Sequence, residues 1–143
     1  MKKRIALLAA LMLLSLAACG KKESAESKTA QGYKDGTYSG EAEVKEVGGT
    51  IKLDITVSDG KIMTVDMQNL DRDGKEKGED YGKSEPLNQG LYSIAQNSIL
   101  GTDKLPALLV ESQDPDRIDA VSGATLSREA FVQADKAALD GAK

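Results

Sequence analysis

The sequence predicts an α+β domain: an antiparallel β-meander covered by two or three helices, the C-terminal helix following a loop of small residues. Three observations predict it. Ile51, Leu53, Ile55 and Val57 alternate with Lys52, Asp54, Thr56 and Ser58, the period-two pattern of a half-buried strand. Asp59-Gly60 follows at once and suits a tight hairpin turn into a partner strand. Two later stretches change to helical spacing, one through Leu87, Leu91, Ile94, Ala95 and Ser98, the other through Leu126, Ala130, Phe131, Ala134 and Ala138. A chain of 143 residues has one domain as its default.

In chain order, the domain spans 33–143. Asp35-Gly36 is a turn signal, and Thr37 to Val47 reads as the first strand, closed by Gly48-Gly49. Thr50 to Ser58 is the second strand. Lys61 to Gln68 is the third, with Met63, Val65 and Met67 on one face. Asn69 to Ser84 is crowded with Asp, Lys, Glu and Gly and reads as a solvated surface loop. Glu85 to Leu100 is a helix, with Ser84 as N-cap and Gly101 as stop. Leu105 to Val110 is apolar and fits a short helix or a strand. Asp114-Pro-Asp is a turn, Arg117 to Val121 is extended, and Leu126 to Leu139 is the last helix.

The first 18 residues read differently. Lys2, Lys3 and Arg4 precede an apolar run, Ile5 to Leu16, too short to span a bilayer, and Leu16-Ala17-Ala18-Cys19 closes it. This is the pattern of an export signal. The closing four residues resemble the lipobox of bacterial lipoproteins, which implies cleavage before Cys19 and acylation (diacylglyceryl, palmitate-type chains) on its sulfur. Two or three buried chains at ~0.8 kcal/mol per CH2 make a stable anchor to the cell membrane. Residues 19–32 lack large apolar side chains and read as a flexible tether, with a mean span of about 20 Å. The expected location is extracytoplasmic.

Composition excludes several chemistries. Cys19 is the only cysteine, so the domain has no disulfide. There is no histidine, which removes Ser-His and Cys-His nucleophile systems and imidazole metal sites. No catalytic residue and no metal site is expected. Without Lys2, Lys3 and Arg4, the 19 basic residues fall to 16 against 23 acidic ones, a formal charge of −7. A nucleic-acid partner is not expected of so acidic a domain.

Asp119-Ala120-Val121-Ser122-Gly123-Ala124-Thr125-Leu126-Ser127 is too poor in bulk to be core and too apolar to be an ordinary solvated loop. It offers hydroxyls and a glycine just before a helix N-terminus, where backbone N–H groups attract anions. The bland alternative is that Thr125 or Ser127 only caps the helix.

The whole nine-residue pattern resembles the flavinylation motif of the FMN-binding domain family: a Ser-Gly-Ala-Thr core, an Asp three positions before the Ser and a Ser or Thr two positions after the Thr. Tyr33-Lys-Asp-Gly-Thr-Tyr-Ser-Gly, Val57-Ser-Asp-Gly-Lys-Ile62 and the alanine-rich last helix extend the resemblance over most of residues 33–140. It implies FMN joined covalently, as a phosphoester, to Thr125, with Ser122, Gly123 and Ala124 around the cofactor and Asp119 and Ser127 completing the recognised motif. It also implies a separate flavin transferase, magnesium-dependent and using FAD. Thr125 is then a substrate of that enzyme, since nothing in this chain activates its hydroxyl.

The ring needs an apolar wall. Tyr33, Tyr38, Tyr81, Tyr92 and Phe131 are the aromatics available, with Leu91, Met63 and Met67 as further candidates. The expected role is an electron-transfer flavoprotein rather than an enzyme with its own substrate. It would relay electrons from a membrane quinone-linked dehydrogenase to an extracellular acceptor or reductase. The alternative is a non-redox surface lipoprotein that uses the same fold to bind a small ligand or a protein. A further possibility, that the signal peptide acts as a pheromone, concerns residues 1–18 alone.

Overall fold

The computed structural model describes residues 32–143. The expected export signal, Cys19 and all of the expected tether but Gly32 lie outside the described residues. Three strands, β1 (Gly36–Glu43), β2 (Thr50–Ser58) and β3 (Lys61–Leu70), form one antiparallel sheet in the order β1-β2-β3. The helices are α1 (Gln89–Thr102), α2 (Leu105–Ser112) and α3 (Thr125–Asp140), with a 3-10 turn at Pro115–Arg117. The expected α+β meander with a C-terminal helix is the fold observed.

The β2 alternation does what its pattern demands. Ile51, Leu53, Ile55 and Val57 are buried beneath α3, against Ala130, Phe131, Ala134 and Ala138. Asp59 and Gly60 both have positive φ, 52° and 73°, as the two central residues of a type I′ hairpin turn require. In β3, Ile62 pairs with Val57 but Thr64 pairs with Thr56. Met63 is therefore the extra residue of a bulge, and it is exposed while Ile62 takes the buried place. The expected face of Met63, Val65 and Met67 is thus broken at Met63.

Gly40 sets how closely α3 lies on β1. A Cβ there would stand 2.1 Å from the Ala134 carbonyl oxygen and 2.9 Å from the Ala138 nitrogen. Backbone meets backbone, so neither side chains nor rotamers can relieve a clash. Gly40→Ala is expected to destabilise the domain by roughly 1–3 kcal/mol, read as a lower urea midpoint with an unchanged slope.

The apolar segment at 105–110 resolves as helix. Gln113, left-handed at φ 59°, ends α2 and ties it to the sheet. Its amide accepts from the Ile62 N–H at 2.8 Å and donates to the Ile62 carbonyl at 2.8 Å, completing the open edge of β3.

The first helix departs most from expectation. It starts at Gln89, and its cap is Asn88, whose Oδ1 accepts from the Leu91 N–H at 3.1 Å. Ser84 instead organises the preceding turn, donating to the Pro86 carbonyl and accepting from the Asn88 N–H. Gly101 lies inside the helix rather than after it. Its stripe does not enter the core: Leu87, Leu91 and Ile94 stay exposed, and among the elements α1 touches α3 only slightly.

Candidate functional site

The small-residue loop delivers α3 with an open end. The N-cap position belongs to Ala124, buried at 1% exposure, and no side chain caps the helix. Thr125 is the first helical residue and Ser127 the third, so neither is a cap. The first helical bond comes from Arg128, whose N–H reaches the Ala124 carbonyl at 2.7 Å. The N–H groups of Thr125, Leu126 and Ser127 meet no acceptor among the described residues. They form the positive end of a 16-residue helix beside the exposed Thr125. Gly123, at φ +80°, turns the chain into this position and lies against α1, where a Cβ would sit 3.3 Å from the Asn97 carbonyl oxygen.

Arg128 fastens the other end of the loop. Its Nε donates to the carbonyls of Ile118 at 2.9 Å and Asp119 at 3.2 Å, and its Nη2 donates again to Ile118. Sequence reasoning passed over this residue. The signal was available, because an arginine in the first turns of a helix opposes the dipole and needs a reason to be there. Arg128→Met keeps the apolar stem and removes the donors. It is expected to cost about 1–3 kcal/mol and to speed amide exchange across 118–124, checked by hydrogen-exchange mass spectrometry.

Thr125 opens onto a cleft of about 390 Å3. Leu126, Ser127 and Gly123 line it from the loop and helix; Leu91, Ile94, Ala95 and Ser98 line it from α1; Val47, Lys77 and Tyr81 close the third side. Leu91 and Ile94 are 61% and 67% exposed, unusual for large apolar side chains facing a concave surface. The Lys77–Gly82 stretch is docked rather than merely solvated. Tyr92 donates to the Glu79 carbonyl at 2.8 Å, Gln96 donates to the carbonyls of Gly78 and Tyr81, and Gly82 abuts Ala95 so closely that a Cβ would come within 2.4 Å of it.

The motif residues separate into three places. Thr125, Ser127 and Gly123 share the cleft. Ser122 lines a neighbouring hollow with Asn97, Leu100 and Lys104, and Gly123 stands between the two. Asp119 is exposed and contributes its backbone carbonyl to Arg128. Of the candidate ring walls, Tyr81 and Leu91 are in the cleft, whereas Phe131 is core and Met63, Met67, Tyr33, Tyr38 and Tyr92 do not line it. A larger hollow of about 640 Å3 runs over the sheet, but its lining carries Glu41, Asp54 and Asp66 against Lys52 alone, a net negative charge that disfavours an anion.

The sequence profile of the FMN-binding domain family matches residues 46–140. The chain belongs to that family. The crystal structure of the CPE2226 protein from Clostridium perfringens is similar to this FMN-binding domain at 29% identity, covering 77% of this chain and 88% of that one, with a TM-score of 0.60. A solution structure of a protein from Clostridium thermocellum is 30% identical, covering 77% of this chain and 92% of that one, with a TM-score of 0.48. No curated protein matches the chain.

The FMN-binding domain is a flavin-binding protein, and its site fits that cofactor. FMN has an anionic end and a planar, largely apolar end. The uncapped start of α3 offers N–H groups to the first. The cleft beside it offers bare aliphatic side chains and a tyrosine ring to the second, at a size usual for ligand pockets.

Proposed function

We propose that the domain carries FMN as a phosphoester on Thr125 and relays electrons outside the cytoplasm. One observation carries the reading: an exposed threonine at an uncapped helix N-terminus opens directly onto an apolar cleft. On this proposal the Thr125 oxygen bonds the phosphate, and the Thr125, Leu126 and Ser127 N–H groups lie near its charge. Leu91, Ile94 and Tyr81 wall the ring and exclude water from one side of it. Bound FMN supplies one- and two-electron chemistry. The chain needs only to hold and shield it, which suits a domain without histidine.

A separate flavin transferase, using FAD and magnesium, installs the group. Export through residues 1–18 and lipid on Cys19 hold the domain at the outer side of the cell membrane. A covalent link is useful there, because a dissociated cofactor would be lost by dilution. The donor is a membrane quinone-linked dehydrogenase, and the acceptor is an extracellular reductase or oxidant.

The test is co-expression with a competent flavin transferase, followed by denaturation. The expected result is a fluorescent band and a mass increase of FMN less one water. A colourless wild-type domain rejects the covalent reading.

A further inference from the structure

Lys77 is the one charged residue among those lining the Thr125 cleft. Its backbone is held, its N–H donating to the Asn69 carbonyl at 2.8 Å, and its ammonium lies 5.0 Å from the centroid of the Tyr81 ring. Among the described residues no carboxylate forms an ion pair with it, as is also true of several surface lysines, but Lys77 is the one that lines this cleft. Burial pushes its pKa down, and Asp71 opposes this only in part. A cation that loses water without gaining a carboxylate carries an uncompensated desolvation cost. An entering anion offsets that cost.

Two parts of FMN carry negative charge, the phosphate and the reduced ring. The phosphate has its own donors at the start of α3. Lys77 and Tyr81 come from the loop after β3, a segment separate from the start of α3, and the Lys77 ammonium stands over Tyr81, one of the surfaces proposed above to wall the ring. We propose that Lys77 is the counter-cation of the reduced flavin ring; this rests on the flavin reading above. When the ring takes up two electrons and one proton from an external reductant, one negative charge stays on it. The neutral oxidised ring offers the ammonium only dipoles. An interaction gained mainly on reduction raises the reduction potential, so Lys77 tunes the potential without taking part in attachment.

The experiment compares wild type, Lys77→Met, Lys77→Gln and Lys77→Arg, each co-expressed with a flavin transferase. Labelling is read by mass, folding by circular dichroism and the midpoint potential by dithionite titration against reference dyes. All four are expected to carry the label. Lys77→Met and Lys77→Gln are expected to lose about tenfold in the reduced-to-oxidised ratio at a fixed potential, about 30 mV for a two-electron couple. Lys77→Arg keeps the wild-type midpoint. A labelled Lys77→Met or Lys77→Gln protein with the wild-type midpoint overturns the proposal. So does a folded variant that is no longer labelled, because Lys77 then serves attachment. If wild type itself carries no label, the covalent reading fails separately. The same comparison is then made with FMN added in excess, where an unchanged midpoint again overturns the role of Lys77.

Discussion

Thr125→Val is expected to abolish covalent flavin while leaving the domain folded. Valine replaces the hydroxyl with a methyl of nearly the same size, so the change is chemical rather than steric. Thr125 is exposed, and its hydroxyl neither caps α3 nor bonds another described residue. The stability change should therefore stay within about 0.5 kcal/mol, as for other surface substitutions. β-Branching suits valine no worse than threonine at the first helical position. The variant, co-expressed with a transferase, should give wild-type circular dichroism, no fluorescent band after denaturation and no added mass. Ser127 and Ser122 remain as nearby hydroxyls and act as internal controls. A Thr125→Val protein that still gains the mass of FMN less water places the bond on another residue.

Asp135→Asn is expected to stabilise the domain at neutral pH and to flatten its pH dependence. Asp135 lies on the core side of α3 at 0% exposure, and neither carboxylate oxygen has a hydrogen-bond partner among the described residues. Tyr33 lies near it, and Lys136, its neighbour in the chain, is ion-paired with Asp116 instead. Burial raises the Asp135 pKa to about 8, from about 3.9 in an unfolded chain. The folded state therefore binds the proton more tightly. Below about pH 4 both states are protonated and stability from this group is at its maximum. Between about 4 and 8 the unfolded state ionises first, so stability falls as pH rises, by roughly 1 kcal/mol per unit. Above about 8 the loss is complete. Urea unfolding of wild type and Asp135→Asn at pH 5, 6 and 7 should show a gap that widens with pH in favour of the variant. A gap independent of pH would mean that Asp135 does not titrate in this range.

Much of this fold was legible because a few local signals agreed with one another. The β2 alternation, the Asp59-Gly60 turn and the alanine-rich inward face of α3 each point to the same two-layer packing, and each lies where expected. The failures have physical causes that local pattern does not carry. The bulge at Met63 is one inserted residue, invisible to a period-two count that runs through it. The α1 stripe has helical spacing but no sheet beneath it, and apolar periodicity alone does not say whether an apolar face meets the core or a ligand. The 69–84 stretch reads as a solvated loop because its charges dominate. Tyr81 is held in the cleft by bonds that Tyr92 and Gln96 of α1 make to the Glu79 and Tyr81 carbonyls, and Lys77 by its N–H bond to the Asn69 carbonyl, contacts between distant segments that local pattern does not show. The nine-residue pattern singled out Thr125, and the structure places that residue on the cleft. The bareness of the helix start was not legible, since Ser and Thr at that place usually cap.

The contacts of α1 have a consequence for access. It rests on the domain through very small residues, with Gly82 against Ala95, Gly101 against Ala124 and Gly123 against Asn97. Such contacts bring backbones close but remove little apolar area from water, so lifting this helix exposes far less than unfolding the sheet from α3. The wall beside Thr125 is thus the part of the domain held by the least buried apolar surface, secured mainly by the Tyr92 and Gln96 hydrogen bonds. On the flavinylation reading proposed above, a transferase reaching Thr125 would have to displace only this weakly buried wall and not the packing of the sheet on α3.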